Sequence, residues 1–169
     1  MSSLVTHSEL KRLLRYEPET GQFHRLQSAD KRNSKHVGKV AGCVAPQGYV
    51  YIKIRARNYT AARLALFYVN GRWPSGEVDH INRIKSDNRL CNLRAVSRSE
   101  NFQNRVDPMP KNTTGLLGVT RSQTSSRFFA MIHVPIRKRI YLGSFATAEE
   151  AHAAYMEAKK KYHLHAPSR

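Results

Sequence analysis

The stretch EVDHINRIKSDNRLCNLRAVSRSENFQNR, residues 77–105, decides how this chain reads. Glu77, Val78, Asp79 and His80 have the character of a strand end. Residues 81–91 are polar and rich in Asn and Arg, with turn chemistry. Residues 93–96 make a second short strand. Ser97-Arg98-Ser99-Glu100 has the capping-box pattern, in which the serine and the glutamate satisfy each other's orphan amides, so a helix starts there and carries Asn101 into its first turns. The outline is strand, long loop, strand, helix.

That outline can present the chemistry of phosphodiester hydrolysis. Cutting such a bond calls for an oxygen-ligated divalent cation near the leaving 3′ oxygen and a base that takes a proton from water. Asp79 is a hard anionic ligand and Asn101 offers an amide oxygen; together they suit Mg²⁺, which keeps several waters and a substrate phosphate in its shell. His80 suits the base. A strand sends neighbours such as Asp79 and His80 to opposite sides, which is compatible with a metal and an attacking water on opposite sides of one phosphorus. From residue types alone, an ordinary surface Asp-His pair and a solvent-exposed Asn remain the alternative.

Working outward, residues 10–14 carry a short helical pattern that ends before Pro18, Thr20-Gly21 reads as a turn, and residues 22–26 as a short strand. Residues 27–39 read as an exposed basic loop. In YVYIKIR, residues 49–55, Val50, Ile52 and Ile54 alternate with polar neighbours, the period of a half-buried strand. Residues 60–69 have apolar residues at helical spacing, stopped by Asn70-Gly71. Pro108, Pro110 and the run Asn112 to Gly115 punctuate a linker. Beyond it come strands over 117–121, 128–134 and 138–142, then a helix over 147–162. That helix opens on a capping box, Thr147 to Glu150, and Ala151, Ala154, Tyr155, Ala158 and Tyr162 form its apolar stripe. This second unit reads as a three-stranded antiparallel sheet on one amphipathic helix.

Composition bounds the function. The 169 residues include 29 Lys+Arg against 12 Asp+Glu, a formal net charge of +17. Residues 1–111 carry 20 basic against 9 acidic side chains and residues 112–169 carry 9 against 3, so the charge is not confined to one tail. A small protein so charged calls for a polyanionic partner, and nucleic acid leads. No basic amphipathic helix of the membrane-surface kind is present, no window approaches about 18 uninterrupted apolar residues, and the N-terminal residues lack a signal-peptide core. Cys43 and Cys91 make neither a disulfide framework nor a zinc clamp. A reducing, cytoplasmic setting is expected, with no membrane and no secretion.

Asp79-His80, then Asn92-Leu93-Arg94, then Glu100-Asn101 resemble the HNH endonuclease motif, in the form carried by phage and intron homing endonucleases. The resemblance implies a ββα-metal fold in which Asp79 and Asn101 hold a single divalent cation, His80 is the general base, and Asn92 braces the long loop. It implies Mg²⁺, with Mn²⁺ as a substitute, in the cytoplasm of a bacterial or phage-infected cell. Asn101 stands where His is commoner. The CxxC pairs of zinc-bearing relatives are missing, so no zinc is expected.

The C-terminal unit resembles an AP2 DNA-binding domain through Gly118-Val119, Phe128, Ala130, Ile132, the run YLGSFATAEEA at residues 141–151, and Ala154-Tyr155. In that family the sheet face away from the helix lies in the major groove. Alternation here puts Phe128, Ala130, Ile132, Ile140 and Leu142 toward the helix and Arg127, Phe129, Met131, His133, Arg139 and Tyr141 outward. Arg121, Arg137 and Lys138 reach phosphates or guanine edges. Phe129 and Met131 alternatively make a contact to the other unit. Arg83 and Arg94 are further candidate DNA contacts, and Arg63 is either a phosphate contact or a solvent-exposed side chain.

The expected organisation is α+β: an N-terminal β-containing extension over 1–58, an HNH unit over 59–108, a linker over 109–115 and an AP2-like unit over 116–165. The expected activity is site-specific cleavage of double-stranded DNA by a monomer or homodimer, a monomer nicking one strand. The rivals are a non-catalytic DNA-binding regulator with an inactive HNH unit, and an RNA-binding protein.

Overall fold

Residues 4–27, 36–134 and 139–163 are described in the structure, a computed structural model. The chain divides into two compact units, residues 1–97 and 98–169, each with its own hydrophobic core. The architecture is α+β, with four small antiparallel sheets among the described residues. No helix among these residues is long and apolar enough to cross a membrane.

In the first unit, helix α1 (His7–Leu13) starts at Thr6, whose hydroxyl accepts from the Glu9 amide at 3.2 Å. The helical pattern stops one residue earlier than the sequence implies. Leu14 instead begins β1 (Leu14–Glu17), which pairs with β2 (Gln22–Arg25) through a turn at Pro18 to Gly21. A three-stranded sheet follows in the order β3 (Cys43–Val44), β4 (Val50–Ile54), β5 (Arg57–Thr60). In β4, Ile52 and Ile54 are buried and Lys53 is exposed, as alternation predicts. Strand β5 has no forerunner in the sequence reading, because the Arg55-Ala56 turn lacks the usual turn residues. Helix α2 (Ala61–Asn70) buries Ala61, Ala62, Leu64, Ala65, Leu66 and Phe67. Trp73 stacks on Phe67 with ring centres 4.1 Å apart.

The unit ends in a hairpin of β6 (Glu77–His80) and β7 (Leu93–Val96). Leu93 belongs to the same buried cluster as Ile52, Ile54 and Leu64, with Val78 and Leu90 packed against it. The N-terminal elements and the β6–β7 hairpin therefore share one core, as the sequence reading of strand 49–55 and helix 60–69 anticipates.

In the second unit, helix α3 (Arg98–Gln103) begins directly after Ser97. A three-stranded antiparallel sheet in the order β10 (Ile140–Phe145), β9 (Phe128–Ile132), β8 (Val119–Arg121) packs on helix α4 (Ala148–Tyr162). Both halves of the Thr147–Glu150 capping box are made. A bulge between Tyr141 and Gly143 adds Leu142 without a partner. The shift it causes lets Leu142 and Phe145, of opposite parity, both pack on the core. Gly118, at φ 79°, lies against the Tyr155 ring so closely that a Cβ would sit 2.0 Å from Cδ2. Ala151, Tyr155 and Ala158 are buried as the stripe predicts, but Tyr162 is exposed. The apolar stripe ends a turn early, and its last inward positions go to Lys159 and His163.

Candidate active site

The β6–β7 register places Asp79 opposite Arg94 and His80 opposite Leu93. Cross-strand partners share a sheet face, so Arg94 reaches Asp79 directly. Its Nε and Nη2 both donate to Asp79 Oδ2, at 2.9 and 2.7 Å. His80 points to the other side and is only 5% exposed.

The His80 ring is held by a residue the sequence reading passed over. His80 Nε2 lies 3.2 Å from Asn88 Oδ1. The other end of the Asn88 amide, Nδ2, donates to Ser86 O at 3.0 Å. Reversing the amide would set its oxygen against that carbonyl, so Oδ1 faces the imidazole and accepts. His80 Nε2 is then the protonated nitrogen of the neutral ring, and Nδ1 carries the lone pair.

Asn92, 5% exposed, braces the loop. Its Oδ1 accepts from the Asn82 amide at 2.9 Å and its Nδ2 donates to Asp87 O at 2.8 Å. Arg83, at φ 64°, closes the turn by donating its amide to His80 O at 2.9 Å. Asp87 accepts from Arg89 Nε and Nη2 at 2.9 and 2.6 Å and from Asn82 Nδ2 at 2.7 Å. The Arg89 hydrogen bonds hold the Asp87 carboxyl far below the usual carboxylate range.

The N-terminal hairpin closes on this loop. Tyr16 Oη donates to Asn88 O at 2.7 Å, and the Leu90 amide donates to Pro18 O at 2.9 Å. Burial, followed by the Cys91 and Asp87 charges, pushes Tyr16 up to about 12, so it stays a neutral donor. Tyr49 adds a ring 6.1 Å from His80, with Lys85 Nζ 5.0 Å above its centre. Burial raises Tyr49, and the neighbouring Tyr51, Asp79 and Glu77 add to that. Tyr49 is brought to the site by a contact distant in sequence, whereas Lys85 and Asn88 lie in the polar loop, where no local pattern singles them out.

Of the other expected site residues, Asn101 lies on α3 of the second unit, half-buried. Arg63, expected either as a phosphate contact or as a solvent-exposed side chain, is half-buried. Nη1 donates to Gly76 O at 2.7 Å and Nη2 to Pro74 O at 3.0 Å, which ties α2 to the turn before β6. On the second unit's sheet, Phe129 and Met131 are half-buried, and Tyr141 is exposed with its ring 6.1 Å from Phe129. Arg121, His133 and Arg139 are exposed. Arg127 is exposed too, but its Nε donates to Ser144 Oγ at 2.7 Å and Nη2 to Ser144 O at 2.8 Å, pinning β9 to β10. Arg137 and Lys138 lie outside the described residues.

Among the described residues, no three His, Cys, Asp or Glu side chains gather into a metal cage. Asp79 on β6 and Asn101 on α3 belong to different units, and each offers a hard oxygen of the kind a divalent cation prefers.

Residues 59–103 match the family model described as HNH endonuclease. The matched segment contains Asp79, His80, Asn88, Asn92, Arg94 and Asn101. Among solved structures, the chain is similar to the HNH homing endonuclease I-HmuI, described for its DNA binding and cleavage. Identity there is 23% and the TM-score 0.41, over 54% of this chain and 50% of that one. The chain thus spans about half the length of that protein. No curated protein matches.

Proposed function

We propose that the chain is an HNH-type endonuclease of the homing class that hydrolyses one phosphodiester of duplex DNA per engagement. The observation that carries this reading is the His80–Asn88 pair beside Asp79, inside the segment that matches the HNH endonuclease family model. With Nε2–H committed to Asn88, Nδ1 is the atom that takes the proton from water as the water oxygen bonds to phosphorus and the P–O3′ bond breaks. Asp79 and Asn101 would hold one divalent cation, Mg²⁺ or Mn²⁺. Bound there, it neutralises charge on the phosphate and on the departing 3′ oxygen. Asn92 keeps the loop closed around His80. Arg83, Arg94 and Lys85 supply positive charge for the flanking phosphates.

The second unit grips the duplex in the manner of an AP2 domain. Its three-stranded sheet on one helix, with Tyr141, Arg121, His133 and Arg139 exposed, supports that role. One such site acts on one strand, so a monomer nicks, and a double-strand break requires a homodimer. The cytoplasm is the proposed setting.

The test is a supercoiled plasmid carrying the DNA that flanks the gene, incubated with Mg²⁺ or Mn²⁺. Wild type converts it to the open circular form. His80→Ala lowers that rate by about 10²–10⁴-fold while leaving DNA retention on a gel intact. Tight binding without nicking under either metal sinks the nuclease reading. One observation favours the rival, a DNA-binding regulator with an inactive centre: Arg94 already satisfies an oxygen of Asp79. Absence of Mn²⁺ binding to the DNA-bound protein would decide for it.

A further inference from the structure

We propose that the N-terminal hairpin β1–β2 is a positioning element of the nuclease site, acting on His80 through Asn88. The catalytic part of this inference rests on the function proposed above; the contact itself does not. Three independent links join the hairpin to two consecutive peptides of the loop, Asn88–Arg89 and Arg89–Leu90. Tyr16 Oη donates to Asn88 O at 2.7 Å. Pro18 O accepts from the Leu90 amide at 2.9 Å. Gly21, at φ 73°, lies so close that a Cβ would stand 2.4 Å from the Asn88 carbonyl carbon and the Arg89 amide nitrogen. Only glycine permits that approach. Together they clamp the loop main chain from Asn88 to Leu90.

The Asn88 side chain accepts from His80 Nε2 while donating to Ser86 O. Asn88 is 3% exposed and Tyr16 5% exposed, so water does not compete well for either bond. Displacing the Asn88 backbone moves the acceptor away from the imidazole, freeing the ring to rotate or to change tautomer. Either change takes the Nδ1 lone pair off the line on which it meets a water. The hairpin is itself fixed by the main core, where Leu14, Tyr16 and Phe23 are buried and the Tyr16 and Phe23 rings lie 4.7 Å apart. Residues 14–25 therefore belong to the machinery that orients the base, a role that their distance of some 60 residues from His80 conceals.

The experiment is ¹⁵N NMR of the His80 ring in the full chain, paired with single-turnover nicking. It compares wild type with Asn88→Ala, Asn88→Asp and Tyr16→Phe at a pH where the imidazole is neutral. In wild type the Nε2–H proton gives a resonance protected from exchange with water. Asn88→Ala loses that protection and nicks about 10- to 100-fold more slowly, with DNA affinity unchanged. Asn88→Asp keeps an acceptor toward His80 but sets its second oxygen against Ser86 O, so it protects Nε2–H better than Asn88→Ala while falling short of wild type in both readouts. Tyr16→Phe, which keeps the ring and so the core, speeds exchange and slows nicking by about 5-fold. An Nδ1–H tautomer in wild type, or a ring resonance and nicking rate untouched by both Asn88→Ala and Tyr16→Phe, overturns the inference. A wild type that shows the protected Nε2–H but nicks nothing overturns the nuclease reading and the catalytic role together, and leaves the clamp as architecture.

Discussion

Arg94 clasps Asp79 through a single carboxylate oxygen, Oδ2, with both Nε and Nη2 donating to it at 2.9 and 2.7 Å. The contact is dictated by register, because the two residues are direct partners on β6 and β7. A guanidinium is a fixed positive charge at the place where the proposed cation would be held. It would compete with that cation and, once displaced, could receive a phosphate.

Arg94→Ala should therefore tighten Mn²⁺ binding to the DNA-free protein and weaken DNA binding. Isothermal titration in the two formats separates the effects. The side chains of Arg94 and Asp79 are 32% and 18% exposed, so the pair contributes only about 0–1 kcal/mol to stability. A large fall in melting temperature, with metal affinity unchanged, would show that Arg94 is purely structural.

Asn92 offers a sharper test of the loop. Its amide works at both ends, accepting from Asn82 N and donating to Asp87 O. Asn92→Asp keeps the acceptor but turns the second bond into a carboxylate facing a carbonyl at close range. Asn92→Ala takes this partner from the Asn82 amide and the Asp87 carbonyl, both part-buried in these bonds, at a cost of about 0.5–1.5 kcal/mol. Asn92→Asp should be at least as damaging as Asn92→Ala in chemical denaturation of the first unit, and both should slow nicking. If the aspartate behaves like wild type, the donor end of the amide carries no weight.

What the sequence discloses divides by range. Strand β4, helix α2 and the Thr147 cap were legible because period and capping chemistry are local. Asp79, His80 and Asn92 were legible because the motif spacing compresses one hairpin into a short string. Asn88 was not, since nothing near it in sequence shows that Tyr16 holds its carbonyl and that its side chain reaches His80. The β10 bulge was hidden for a similar reason: strict alternation cannot place both Leu142 and Phe145 inward, and only pairing with β9 reveals the extra residue. Arg63, which the sequence offers either as a phosphate contact or as a solvent-exposed side chain, donates to the Gly76 and Pro74 carbonyls, contacts that no local pattern discloses.

The second unit should lose stability in mild acid through His163. Burial, above all, lowers its ring below the ordinary value of 6.5; the Lys159 and His133 charges add to this, while hydrogen bonds to the His133 and Gln103 main chain oppose it. His163 is the C-cap of α4, its main-chain amide donating to Lys159 O at 2.9 Å, and its ring Nε2 lies 2.8 Å from His133 O. A depressed imidazole stays neutral in the folded chain while the unfolded chain takes up a proton. The unfolded state then binds more protons, and stability falls as pH drops through 6.5, levelling off below the folded value. The melting-temperature advantage of wild type over His163→Gln should therefore be greatest above that point and shrink in acid. A difference that holds constant from neutral to acidic pH removes His163 as the source.

Charge on both units makes a quantitative demand on DNA binding. With 17 basic against 7 acidic side chains in residues 1–97 and 12 against 5 in residues 98–169, each unit can neutralise several phosphates. If about 6–10 phosphates are contacted, log K should fall against log[salt] with a slope of roughly −5 to −9. The slope should shallow by about one for each phosphate-contacting cation removed. Arg121→Ala and Arg139→Ala, both exposed on the second unit, should each give that decrement, whereas Arg63→Ala should not, since its guanidinium is bound to Pro74 and Gly76. A wild-type slope near −2 would mean that only one unit touches DNA, and would leave the exposed sheet face of the second without the role assigned to it.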